Sequence, residues 1–203
     1  MQKARTQAER TAASDNAMFK AAIKLLAQHS PKDVTLAQIG REAGFSGGLI
    51  SYRFGSKAGL LEAVSERILE LWEKQVFSSI EESSSPLDAA RHVTSMYLHN
   101  VGIKSDLMLA QYRLMNESYS TCREILPYFK AFDLRIRKII VNAIEKAKVS
   151  GTVNADVDSE AFAVTYVGML RGVAVQYFIN KEIVNLDSAE IMIDRYCESI
   201  LSL

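Results

Sequence analysis

Residues 34–61 read VTLAQIGREAGFSGGLISYRFGSKAGLL, and they constrain the fold more than any other part of the chain. Thr35 followed three residues later by Gln38 is a capping box, in which side chain and backbone satisfy each other's donors at a helix start. Gly44 stands where the chain must leave that helix, through a positive φ that is cheap only for glycine. Ser46 then offers a hydroxyl to cap a second short helix directly after the turn. Leu36, Ile39, Ala43, Phe45, Leu49, Ile50 and Phe54 form an apolar seam between the two helices. Ser46, Ser51, Tyr52 and Arg53 are left to face a partner. Gly55 ends the second helix and Ser56 can cap the next. Two short helices across a glycine turn, the second with a polar outer face, are the layout that puts a reading helix into the DNA major groove. An ordinary helical hairpin satisfies the same spacing.

Charge weighs against the plain hairpin. The 203 residues carry 24 Lys and Arg against 24 Asp and Glu, a balance that spread evenly would suit a polyanion poorly. Residues 1–57 instead hold nine basic and four acidic side chains, which leaves fifteen against twenty for the remainder. A basic head on an acidic body is the footprint of a DNA-binding module joined to a regulatory domain.

The rest of the chain predicts helices. Hydrophobic residues make up 48% of it, interrupted by only three prolines and ten glycines, and no strand-length alternation appears. A first helix is expected over residues 14–29, capped by Ser14 or Asp15, with Phe19, Ala22, Ile23, Leu26 and Ala27 as its apolar stripe. It would pack across residues 36–54 to make a three-helix head. A fourth helix from Lys57 to Glu82 carries Leu60, Leu61, Val64, Ile68, Leu71, Trp72 and Val76. Helices follow over residues 86–101, 106–118, 121–148, 158–180 and 188–202, about nine in all. Residues 161–179 are apolar nearly all round, so that helix needs cover on more than one side, either as a central core helix or from a second subunit. Thr165, Arg171 and Gln176 interrupt the run, and no membrane span is expected. The expected division is a DNA-binding domain over residues 1–56 and a helical ligand-binding and dimerisation domain over 57–203.

Residues 34–61 resemble the DNA-binding domain of the TetR family of transcriptional regulators. The family pattern runs from Thr35 through Ile39-Gly40 and Ala43-Gly44-Phe45-Ser46 to Tyr52-Arg53-Phe54, then Lys57 and Leu60. Gly40 stands where alanine is usual, costing helix stability of about 1 kcal/mol while permitting a closer helix crossing. Ser51 replaces a common tyrosine, and Arg53 a common His or Tyr. The run Leu49-Ile50-Ser51, then Phe54-Gly55, Lys57 and Gly59-Leu60-Leu61, is similar to the choline- and betaine-responsive repressors within the family.

The resemblance implies a dimeric repressor released from a palindromic double-stranded operator by a small-molecule effector, with no cofactor and no metal. The alternative is a regulator controlled by a protein partner or by no ligand. DNA contacts are expected from Thr35, Ser46, Gly47, Gly48, Ser51, Tyr52, Arg53 and Lys57. Thr35 and Lys57 combine a donor with the free N–H groups of a first helical turn, and Gly47 and Gly48 would let the backbone approach the duplex. Lys3, Arg5 and Arg10 form either a minor-groove arm or a solvated tail. Two-fold pairing would run through the helices at 158–180 and 188–202, resembling the family's four-helix dimer interface. Trp72, Tyr97, Asn100, Tyr112, Phe129, Tyr166 and Gln176 are the candidate effector lining; in the choline-responsive reading, Trp72 and nearby tyrosines would cage a quaternary ammonium. His29, His92 and His99 have no paired nucleophile or metal-ligand spacing, so an enzyme is not expected. Cys122 and Cys197 form no CxxC or Cys/His cluster and read as buried thiols of a cytoplasmic protein, with redox sensing as the alternative.

Overall fold

The computed structural model describes residues 6–81 and 83–203. Among them the chain is all-α. Its helices are α1 (Gln7–Gln28), α2 (Leu36–Ala43), α3 (Gly47–Phe54), α4 (Lys57–Glu81), α5 (Pro86–Ile103), α6 (Ser105–Ser118), α7 (Leu126–Val149), α8 (Ser159–Ile179) and α9 (Leu186–Leu201). A single 3₁₀ turn, Arg123–Ile125, precedes α7. The expected count of about nine helices holds among these residues.

Several ends were written in the sequence. Thr35 and Gln38 make the reciprocal capping box of α2, and Gly44 closes that helix at φ +77°. Ser46 accepts from the Leu49 amide to open α3, and Gly55 ends it at φ +72°. Ser56 accepts from the Gly59 amide at the head of α4.

The start of α1 differs. Neither Ser14 nor Asp15 is its cap. A second capping box, Thr6 with Glu9, opens the helix two turns earlier, so both residues lie inside it. The Thr-x-x-Glu pattern was present in the sequence, but the apolar stripe begins only later, and periodicity alone places the start too late. Arg10 is therefore helical. Lys3 and Arg5 lie outside the described residues.

Two compact units result, each built from separated pieces of chain. The first comprises the chain through Leu69 together with Asp106–Phe129. Here α1 packs on α2 and α2 on α3. Met18, Leu26, Ile39, Ile50, Leu60, Leu61 and Ile68 are fully buried, as are Met108, Leu114 and Ile125 from the later piece. Leu49 is a correction to the expected seam: it is 40% exposed, while Ile50 and Phe54, one turn apart, face inward. An advance of one residue rotates a helical side chain by about 100°, so both neighbours cannot face the core. Gly40 has the role its substitution suggested. A Cβ there would sit 3.0 Å from the Phe45 carbonyl oxygen and 3.1 Å from the Gly47 nitrogen.

The second unit comprises Glu70–Ser105 and Lys130–Leu203, with α5 packed against both α8 and α9. Phe162 stacks between Tyr166 and Tyr196, with ring centroids 5.9 and 6.2 Å apart. The Tyr166 hydroxyl donates to the Ala90 carbonyl at 2.8 Å and pairs with Thr94 Oγ1 at 2.9 Å. Arg171 of α8 meets Asp133 of α7 at 3.0 Å. By length and composition α8 is long and apolar enough to cross a membrane, contrary to the expectation drawn from its polar interruptions. Of the three interruptions, Arg171 pairs with Asp133, whereas Thr165 and Gln176 are exposed.

Candidate nucleic-acid interface

The outer surface of α3 carries the expected reading groups. Tyr52 is 87% exposed. Gly48, Ser51 and Arg53 are exposed beside it, and so is Leu49. The Ser51 hydroxyl donates to the Gly47 carbonyl at 3.1 Å, a bond to the preceding turn that leaves its oxygen lone pairs outward. Ser46 and Thr35 spend one acceptor position each on capping, at 3.2 Å to the Leu49 and Gln38 amides. Thr35 Oγ1 also donates to Gln38 Oε1 at 2.8 Å.

The two glycines have different jobs. A Cβ on Gly47 would lie 3.2 Å from the Ala37 Cα, so its bare backbone is taken up by the approach of α2. At Gly48 the nearest atom would be the Ser46 hydroxyl at 3.9 Å, which leaves open space on the outer side. Close approach by a partner is available at Gly48 rather than at Gly47.

The two cations are held by the protein itself. Arg53 forms an ion pair with Asp15 of α1, and the Lys57 ammonium donates to the Lys32 carbonyl in the turn after α1. Neither partner was signalled by local spacing, since they lie 38 and 25 residues away. That turn is anchored from its other side as well. Ser30 donates to Glu117 of α6 at 3.0 Å, and Thr121 donates to the second carboxylate oxygen. The hydroxyls of Thr121 and Ser30 hold the Glu117 carboxyl below its ordinary range.

The candidate effector residues are divided between the units. Tyr112 and Phe129 belong to the first; Trp72, Tyr97, Asn100, Tyr166 and Gln176 belong to the second. Trp72 lies against Tyr97 with centroids 5.4 Å apart and planes at 42°, and its indole N–H is buried without a hydrogen-bond partner. Asn100 donates to Gln75 Oε1 at 3.0 Å. Gln176 is exposed, and the Tyr166 hydroxyl is already engaged twice. Cys122 and Cys197 are buried, which pushes both thiols up, Cys197 to about 12.

Short capped helices across a left-handed glycine, with Tyr52 outermost, are a helix-turn-helix. The profile of bacterial regulatory proteins of the tetR family matches residues 19–64, from within α1 to the first part of α4. Residues 19–64 thus match the DNA-binding domain of the tetR family. The HTH-type transcriptional regulator HbdR of Aromatoleum sp. (strain CIB) is 28% identical over 134 residues, which span 66% of this chain and 57% of that protein. The HTH-type transcriptional regulator BetI of Vibrio campbellii (strain ATCC BAA-1116) is 24% identical over 91% of this chain and 90% of its own length. A regulator from Saccharomonospora viridis solved in complex with choline superposes with a TM-score of 0.82 at 18% identity, covering 96% of this chain and 99% of that one. At that identity the likeness is one of fold. Within the matched residues α3 is the second helix of the helix-turn-helix.

Proposed function

We propose that this chain is a TetR-family regulator, a homodimeric, cytoplasmic repressor that binds a palindromic operator and leaves it when a small molecule occupies the helical body. The exposed face of α3 carries this reading: Tyr52 is 87% exposed there, with Gly48, Ser51 and Arg53 exposed on the same helix. The functional division is a DNA-binding domain over residues 1–56 and a ligand-binding and dimerisation domain over 57–203. Thr35, Ser46, Gly47, Gly48, Ser51, Tyr52, Arg53 and Lys57 form the DNA surface, with Gly47 contributing through helix packing. The dimer helices are α8 and α9. Val164, Gly168, Gly172, Val175 and Ile179 recur every three or four residues, so they share one face of α8. The three large residues are exposed, and a Cβ on either glycine would meet nothing within 4 Å. An apolar face with two glycines that admit close approach is suited to a second copy of the same helix.

The effector reading rests on Trp72. Its buried pairing with Tyr97 supplies two aromatic rings of the kind that cage a quaternary ammonium, and a relative of the same fold was solved with choline. Selection on fragmented genomic DNA, followed by titration of the enriched site, tests the whole proposal. Arg53→Ala and Lys57→Ala are expected to weaken operator binding at least tenfold, since each loses a charge-assisted contact, while leaving dimerisation intact. Unchanged affinity in both overturns the assigned DNA surface. Choline and betaine should raise the melting temperature and release the operator; stabilisation by anionic or neutral lipids alone rules out the cage.

A further inference from the structure

Asp15 stands in the middle of α1, where no capping duty calls for it. One carboxylate oxygen pairs with Arg53 at the end of α3, and the other is buried without a hydrogen-bond partner. The neighbouring residues of α1 treat a second arginine differently. Arg67 donates to Asn16 Oδ1 at 2.9 Å, and its guanidinium lies 4.1 Å from the centroid of the Phe19 ring. Both arginines line one cavity of about 170 Å³ together with Phe19 and Phe54. Arg67 is thus parked on a neutral acceptor and a ring, whereas the arginine on the recognition helix receives the carboxylate.

We propose that Asp15 is a positioning residue for DNA recognition: it holds one edge of the Arg53 guanidinium so that the other edge is presented to an acceptor on the operator. Arg53 retains 44% of its side-chain exposure and Asp15 retains 32%, and a pair so exposed adds little to stability. Its consequence is orientation. A guanidinium is planar and rigid, so fixing one nitrogen sets the plane and direction of the remaining donors. That edge matches the paired O6 and N7 acceptors of guanine or two oxygens of a phosphate. Without the buttress, a long and flexible side chain must be ordered by the DNA alone.

This inference rests on the proposed DNA surface, and its test separates the two. Operator affinity and base preference at each half-site position are measured for the full-length dimer, Asp15→Asn, Arg53→Ala and the double variant. Asp15→Asn keeps the shape and an acceptor while removing the charge. It should lose roughly five- to tenfold in operator affinity, flatten preference at one position per half-site, and melt as the parent protein does. In the Arg53→Ala background the same change should have no effect, because the group it positions is gone. Equal losses in both backgrounds, unchanged affinity, or tighter binding by Asp15→Asn overturn the positioning role and leave the DNA surface standing. A parent protein that selects no DNA overturns both.

Discussion

Single glycines decide how closely the recognition unit can pack, and they do so for unlike reasons. Gly44 and Gly55 adopt positive φ at the ends of α2 and α3, a backbone demand. Gly40, Gly47 and Gly59 are steric. A Cβ on Gly59 would fall 2.3 Å from the Phe54 carbonyl oxygen, and a backbone atom cannot swing aside as a flexible side chain can. Gly59→Ala is therefore expected to cost about 1–3 kcal/mol, read as a lower urea midpoint at unchanged slope. Gly48→Ala, with open space around it on a helix, should leave that midpoint unchanged or raise it, since alanine is the better helix former. Equal effects of the two changes would refute the steric account. None of this contrast is visible in the sequence, where Gly47 and Gly48 look interchangeable; only the neighbouring Ala37 distinguishes them.

At the scale of elements, capping chemistry was legible and long-range anchoring was not. The Thr35 and Ser46 caps follow from short side chains placed before apolar runs, because the orphan amides of a helix start need local acceptors. The Asp15 and Lys32 anchors come from residues remote in sequence, and spacing carries no trace of them. The turn after α1 shows the consequence: Glu117 of α6 holds Ser30, and Lys57 at the start of α4 holds the Lys32 carbonyl. The Glu117 carboxyl is depressed in the folded state, so its contribution to stability is present above the ordinary carboxylate pKa. That contribution is lost as pH falls through the folded value. Glu117→Gln should accordingly unfold at lower urea concentration than the parent at pH 7, and the gap should close well below pH 4, where both carry a neutral group. A gap that persists in acid would mean that the carboxylate charge is not what fastens the turn.

For the molecule as a whole, the exposed face of α8 is the least balanced feature. Val164 and Ile179 are 48% and 80% exposed on a helix whose opposite face buries Phe162, Tyr166 and Leu170. Val164→Glu should convert a dimer to a monomer in sedimentation, because a charge cannot be paired inside a self-complementary apolar face. Operator affinity should then fall by two orders of magnitude or more as the second half-site is lost. A variant that stays dimeric would place the interface elsewhere. The near-uniform apolarity of residues 161–179 announced an unusual helix, but periodicity could not choose between a central core helix and a face awaiting a partner. In the structure α5 and α9 pack against α8, while Val164, Val175 and Ile179 are exposed.

The sequence by itself determined where the head's short helices begin and end, that the fold is all-α, and that a basic reading unit precedes an acidic body. Those properties reside in local backbone demands, apolar periodicity and charge counts, which a linear string records. Tertiary structure alone decided that Leu49 faces outward, that Gly47 serves packing while Gly48 is open, and that Arg53 leans on Asp15. Each depends on which distant residue arrives opposite, and the chain meets that residue only once the helices have packed.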